Sequence, residues 1–155
     1  MNTLANEVIV NLKTALVVCD LNGNVLLKSN ISDDILGFNH TYSLTEYSNR
    51  LDYYDPVTKE IIDPNNIPLA ITLRTGNPVI NFLLMLKDTK TNNELHLLVN
   101  SYPIMKNNKM FAGAVEFVDV TEEHQYKEMI ERFSEKLEEL TVVLKQSISK
   151  SIKVS

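Results

Sequence analysis

Apolar residues follow two different periods along this chain, and the switches between them mark the elements. Leu4, Val8 and Leu12 stand four apart, with Ile9 beside them. That spacing predicts a short amphipathic helix over 1–12, with Thr3 as its N-cap. Ala15 to Cys19 is a continuous apolar run, and Val25 to Leu27 is another. Between them lies Asp20-Leu21-Asn22-Gly23-Asn24. Two such runs flanking Asn-Gly predict a β-hairpin. Ser32 to Leu36 reads as a short helix stopped by Gly37. The stretch from Phe38 to Asn66 is polar and irregular, carrying Tyr42, Tyr47, Tyr53 and Tyr54 and broken by Pro56 and Pro64. Ile67 to Thr75 reads as a helix, with Asn66 as N-cap, Pro68 in the first turn and Gly76 at the end. Three long strands then follow, Val79–Leu86, Glu94–Ile104 and Met110–Val120, separated by polar turns. The order β-β-α-α-β-β-β implies an α+β fold, a five-stranded antiparallel sheet with helices packed on one face.

After Val120 the period changes to that of a helix. Thr121 suits the cap, and Glu122 and Glu123 suit the positive end of the helix dipole. The apolar residues Tyr126, Ile130, Phe133, Leu137, Leu140 and Leu144 are spaced 4, 3, 4, 3 and 4 apart. This is an a/d seam, narrower than the stripe of an ordinary surface helix. Two arrangements bury it. The helix packs on its own sheet, or it pairs with a second copy in a coiled coil and makes a homodimer. The strict 3.5-residue period favours the coiled coil. Ser147 and Ser151 fall on the seam line, so the polar tail 146–155 is expected to fray. The expected units are the N-terminal helix 1–12, a body 13–120, a coiled-coil helix 121–145 and the tail.

Composition removes whole classes of function. The chain has 155 residues, 44% of them hydrophobic and 23% charged, which suits one globular domain. No apolar run approaches the roughly 20 residues of a membrane-spanning helix, and no leader-like segment opens the chain. The one cysteine, Cys19, excludes an internal disulfide and a zinc site built of cysteines. A cytoplasmic location is expected. The net charge is −5 with Lys and Arg scattered, so neither nucleic acid nor membrane is an expected partner. His40, His96 and His124 show no metal-ligand spacing. The chain lacks a Gly-x-Ser-x-Gly elbow, a phosphate-binding glycine loop and a His-Glu-x-x-His pair. Asp33 and Asp34 are neighbours that point apart on a helix, and Asp52, Asp55, Glu60 and Asp63 read as a solvated loop. No nucleophile is paired with a base, so no catalytic residue is assigned and an enzyme is not expected.

Three stretches resemble PAS domains of bacterial sensors. The hairpin Ala15-Leu16-Val17-Val18-Cys19-Asp20-Leu21-Asn22-Gly23-Asn24-Val25 is similar to the opening of that family. Ile67-Pro68-Leu69-Ala70-Ile71-Thr72-Leu73-Arg74-Thr75-Gly76 resembles the helix before its third strand. Gly113-Ala114-Val115 leading to Asp119-Val120-Thr121-Glu122 resembles its last strand and Asp-Ile-Thr junction, with Val120 in place of Ile. The resemblance spans about residues 5–145. It implies a sensory and dimerisation domain that passes ligand or partner binding through a helix to an output domain, with Asp119 and Thr121 as the relay. A protein-binding adaptor without ligand, or a piece of a histidine kinase or chemoreceptor, agrees with the same residues.

The register implied by the resemblance turns Phe82, Leu84, Leu86, Leu97, Val99, Ser101, Val115 and Phe117 inward, as a ligand-binding set. The opposite set, Leu83, Met85, His96, Leu98, Asn100, Tyr102 and Ala114, is mixed and needs a cover from the N-terminal helix or a second subunit. Flavin-binding members of the family use a reactive Cys on a helix and amide side chains in the pocket. Here Cys19 is on the first strand and the inward set has no amide. Haem-binding members carry a His on the helix before the third strand, and residues 67–75 contain none. No flavin or haem is therefore expected. Either the pocket is filled by its own side chains, or it takes a small apolar molecule, with Ser101, Tyr42 and Tyr47 as candidate polar contacts.

Overall fold

The structure, a computed structural model, describes residues 3–39 and 42–154. It divides into two compact units, residues 1–120 and 121–155. The first contains α1 (Thr3–Val10), β1 (Ala15–Asp20), β2 (Val25–Lys28), α2 (Asn30–Leu36), α3 (Leu44–Arg50), β3 (Leu51–Tyr54), β4 (Ile61–Ile62), a 3-10 turn (Pro64–Asn66), α4 (Pro68–Thr75), β5 (Val79–Asp88), β6 (Glu94–Lys106) and β7 (Lys109–Asp119). The second is α5 (Thr121–Val154).

The strands form one antiparallel sheet in the order β2-β1-β7-β6-β5-β3-β4. The five expected strands are its first five. The expected strand count is corrected to seven, because β3 and β4 add themselves to the β5 edge. Leu51 and Tyr53 alternate with Asp52 and Tyr54, and that period of two lets β3 pair along β5 from Leu51↔Asp88 to Tyr54↔Met85. Asp55 then accepts hydrogen bonds from the N–H groups of Val57 and Thr58, at 2.8 and 2.9 Å, and the chain turns back into β4. A polar composition and two prolines hid these short strands. α3 has a legible start as well: Ser43 accepts from the Glu46 N–H, and the Glu46 carboxylate accepts from the Tyr42 N–H. The Ser-x-x-Glu pattern is that of a capping box.

Three helix starts differ from the expectation. Thr3 lies within α1. Asn66 belongs to the 3-10 turn, so Ile67 occupies the cap position of α4. α2 begins at Asn30, two residues before the expected Ser32, and Ser29 in its cap position makes no side-chain cap. Its hydroxyl is buried and donates to the Thr14 carbonyl at 2.8 Å while accepting from the Leu16 N–H at 2.9 Å.

α2 packs on β1, and α4 packs across β5, β6 and β7. Gly113 permits the close approach of α4. A Cβ there would lie 2.9 Å from Leu73 Cδ2 and 3.0 Å from Leu69 Cδ1. α1 buries none of its residues and makes its main contacts with β2, so it is not a cover for the centre of the outer face.

Taken by itself, α5 is a helix of 34 residues, about 51 Å long at 1.5 Å per residue. It continues through the segment expected to fray. Ile148 and Ile152 extend the apolar side at steps of four from Leu144, which explains the longer helix. The six seam residues Tyr126, Ile130, Phe133, Leu137, Leu140 and Leu144 are 50–65% exposed.

Candidate functional site

A cavity of about 80 Å³ lies inside the first unit, between the sheet and the helices. Its sheet wall is built by alternate residues of four strands: Val17, Leu84, Leu86, Leu97, Val99, Val115 and Phe117. Leu36, Leu44, Tyr47, Ile67, Pro68 and Leu69 close the opposite side, and Leu51 and Tyr53 close the β3 edge. Every lining residue but the two tyrosines is apolar.

Six of the eight residues of the inward set are therefore on the wall. Phe82 and Ser101 are not. Phe82 follows a β-bulge that begins after Val79 and is half-buried against the core. Ser101 is fully buried, with its hydroxyl 2.6 Å from that of Thr72, which in turn donates to the Asn77 carbonyl at 2.8 Å. This pair joins α4 to β6 and engages the hydroxyl that sequence reading offered to a ligand. Tyr42 is 61% exposed and away from the cavity, whereas Tyr47 is buried and lines it. Sequence reading missed Leu44, Leu51 and Tyr53 because it treated 38–66 as irregular. Their signal was present as Leu44, Tyr47 and Leu51 at helical spacing, followed by alternation into Tyr53.

α3 is held across the cavity from both ends. At its start, the Leu44 N–H donates to the Gly23 carbonyl and the Val25 N–H to the Tyr42 carbonyl, each at 2.8 Å. At its end, the Arg50 carbonyl accepts from the N–H and hydroxyl of Thr89, and the Arg50 side chain pairs with Asp88. The Arg50 guanidinium also lies 4.5 Å from the centroid of the Phe38 ring, within cation–π range. Phe38 packs on Tyr47 at 6.0 Å between ring centres. The Asp88 carboxyl is held down to a pKa of about 2, chiefly by the Arg50 hydrogen bonds. Burial pushes the Tyr53 phenol up, against a smaller opposing effect of its hydrogen bond to Ser48.

The remaining candidates separate in space. Cys19 is fully buried, and burial pushes its thiol up to about 12, so the reactive thiolate is suppressed. On the outer face Leu83 is exposed while Met85 and His96 are buried. Asn100 and Tyr102 both donate to Glu116, at 3.2 and 3.1 Å. His124 is paired with Glu128 on α5, and His40 lies outside the described residues. Among the described residues, no group of three His, Cys, Asp or Glu side chains is placed to hold a metal ion. No described helix is long and apolar enough to cross a membrane. Asp119 ends β7 opposite Leu97, and Thr121 begins α5.

No model of a known protein family matches the chain, and no curated protein matches it. Solved structures do match its fold. The PAS domain of nitrogen regulation protein NR(II) from Vibrio parahaemolyticus aligns at a TM-score of 0.52 and 14% identity, over 76% of this chain and 99% of that one. A PAS domain from Colwellia psychrerythraea aligns at 0.54 and 13% identity, over 77% and 96%. This is a PAS fold. The LOV protein of Rhodobacter sphaeroides aligns at 0.52 and 10% identity, over 74% of this chain and 64% of that protein. The alignments share a backbone course, and the PAS cavity of this chain is lined by its own set of side chains.

Proposed function

We propose that this chain is a sensory and dimerisation domain of a bacterial, cytoplasmic signal-transduction protein. A small apolar molecule occupies the PAS cavity, α5 pairs with a second copy, and Asp119 and Thr121 pass a change in the sheet to α5 and on to an output domain. The observation that carries the reading is the stripe of six large apolar side chains on α5, each at least half exposed. A solvated helix has no use for such a stripe, whereas a partner helix buries it.

The cavity supports the ligand half of the reading. Its 80 Å³ suits a molecule of a few heavy atoms, well below the 300–1,000 Å³ or so of drug-sized sites. Its walls favour an apolar body, and Tyr47 and Tyr53 are the polar side chains at hand to orient it. The chain acts by binding and not by turnover, and no flavin, haem or metal takes part. Ligand changes output only as far as it prefers one of two arrangements of the sheet and helix.

Sedimentation tests the dimer. The full chain is expected to sediment as a dimer and Leu137→Asp as a monomer with an unchanged circular dichroism spectrum. A monomeric wild-type chain overturns the dimer. Native mass spectrometry of protein from its own host, compared with refolded protein, tests the ligand. An added mass lost on refolding supports a bound molecule, and identical masses in both samples, with Val99→Phe equally stable and active, point to an adaptor without ligand.

A further inference from the structure

The cavity is not closed with equal firmness all round. On the sheet side β1, β7, β6 and β5 are joined by backbone ladders. On the α4 side the Thr72 and Ser101 hydroxyls stand 2.6 Å apart, and Leu69 lies so close over Gly113 that a Cβ there would be 3.0 Å away. The start of α3 is fixed to the hairpin by backbone bonds at Gly23 and Val25, and β3 is laddered to β5. These closures open only when backbone bonds or tight packing break, which is local unfolding. Between the end of α2 and α3 the closure is made by side chains.

On the outside at that place lies a depression lined by Asp33, Asp34, Gly37, Phe38 and Asn39. Phe38 is half-buried and packs against the core. Its ring stands 6.0 Å from that of Tyr47, which lines the cavity. Two aromatic rings therefore separate the depression from the cavity. The Arg50 guanidinium lies 4.5 Å from the centroid of the Phe38 ring, and its two bonds to Asp88 hold it there.

We infer that Phe38 is the gate of the cavity: its ring swings aside to admit a small apolar molecule between α2 and α3, and Arg50, held by Asp88, is the latch that returns it. The inference rests on the ligand reading above and adds the route. Gly37 at the end of α2 is held by its N–H bond to the Asp33 carbonyl at 2.8 Å, so the backbone ahead of Phe38 is fixed and the side chain is the part that turns. Side-chain rotation is faster than opening of a strand ladder, so the route through Phe38 carries the exchange. Asp33 and Asp34 on the rim repel an anion, and Lys28 offsets only Asp33, so the route suits a neutral molecule.

Xenon is the probe, because it is small, neutral and apolar and enters dry apolar cavities. Its exchange with the full chain is read by nuclear magnetic resonance of dissolved xenon. Val99→Phe, which fills the cavity, is expected to lose the signal. Phe38→Ala is expected to exchange xenon about ten-fold faster than the wild type or more, with the affinity changed by less than about two-fold, because the ring stands on the path and not in the cavity wall. Arg50→Lys, which loosens the latch, is expected to fall between the two. Phe38→Leu keeps the apolar bulk without the ring and decides the matter should Phe38→Ala fail to fold; it too is expected to exchange faster than the wild type. Leu73→Ala removes a packed side chain from α4, away from the route, and is expected to keep the wild-type rate. Wild-type rates in the Phe38 variants, or an equal acceleration in Leu73→Ala, overturn the gate and leave the ligand reading standing. A wild-type chain that takes up no xenon overturns the cavity as a ligand site, and the gate with it.

Discussion

The guanidinium of Arg50 grips the carboxylate of Asp88 with two hydrogen bonds, Nε to Oδ1 at 3.0 Å and Nη2 to Oδ2 at 2.9 Å. The two residues are 38 positions apart in the chain. They tie the end of α3 to the end of β5, and through Phe38 and Tyr47 the fork reaches the cavity wall. Asp88 is nearly buried and Arg50 partly so, which makes this pair stronger than a surface ion pair.

Replacing Arg50 by Ala is expected to destabilise the first unit, because the fork to Asp88 is lost and the carboxylate keeps only its backbone donor from Lys90. Arg50→Lys keeps the charge but loses the fork, so it is expected to recover only part of that loss. Urea unfolding of the two variants checks this order. Equal stability of wild type and Arg50→Ala would show that the fork adds nothing.

The same pair predicts an acid sensitivity. The folded Asp88 carboxyl titrates at about 2, below its ordinary 3.8. Above 3.8 the carboxyl is ionised in both states and its contribution is complete. As the pH falls towards 2, the unfolded chain takes up the proton first, and the contribution fades. Urea midpoints of the wild type are expected to drop more steeply across this window than those of Arg50→Ala. Parallel curves would exclude Asp88 as the source.

Gly113 makes a packing prediction. A methyl group there meets Leu73 at 2.9 Å and Leu69 at 3.0 Å. Because the leucine ends are flexible but Leu69 is buried, Gly113→Ala is expected to cost about 1–2 kcal/mol by overpacking. Gly113→Ala combined with Leu73→Val, which withdraws one of the clashing methyl groups, is expected to be more stable than the single variant. Thermal unfolding of both checks the order.

Ser101 and Thr72 make a prediction that separates structure from ligand contact. In Ser101→Ala the Thr72 hydroxyl keeps its bond to the Asn77 carbonyl, so the expected loss is about 1 kcal/mol. Any mass retained in native mass spectrometry is expected to survive this substitution. Its disappearance, with the fold intact, would return Ser101 to the ligand.

The hairpin at Asn22-Gly23, the strands of β5 to β7 and the helix stops at Gly37 and Gly76 are legible along the chain, because each is a local consequence of side-chain period or backbone conformation. Gly23, Gly37 and Gly76 all have positive φ, the region glycine enters without cost. β3 and β4 are not legible in that way. The alternation of β3 lasts only four residues and β4 has two, so neither marks a strand without its partner: β3 is placed by β5, more than 30 positions away for Leu51↔Asp88, and β4 by β3. Ser101 fails for a related reason. Alternation puts it on the inner face, but whether it meets a ligand or Thr72 depends on how α4 crosses the sheet.

By itself the order of residues determined the alternating faces of the sheet and the seam of α5, since both repeat at the fixed period of one backbone geometry. Only the tertiary structure decided that α3 and β3 close the cavity, that Arg50 finds Asp88, and how much space is left among the apolar walls. Those outcomes depend on contacts between distant segments, whose positions follow from the packing of the whole unit and not from any repeat in one stretch.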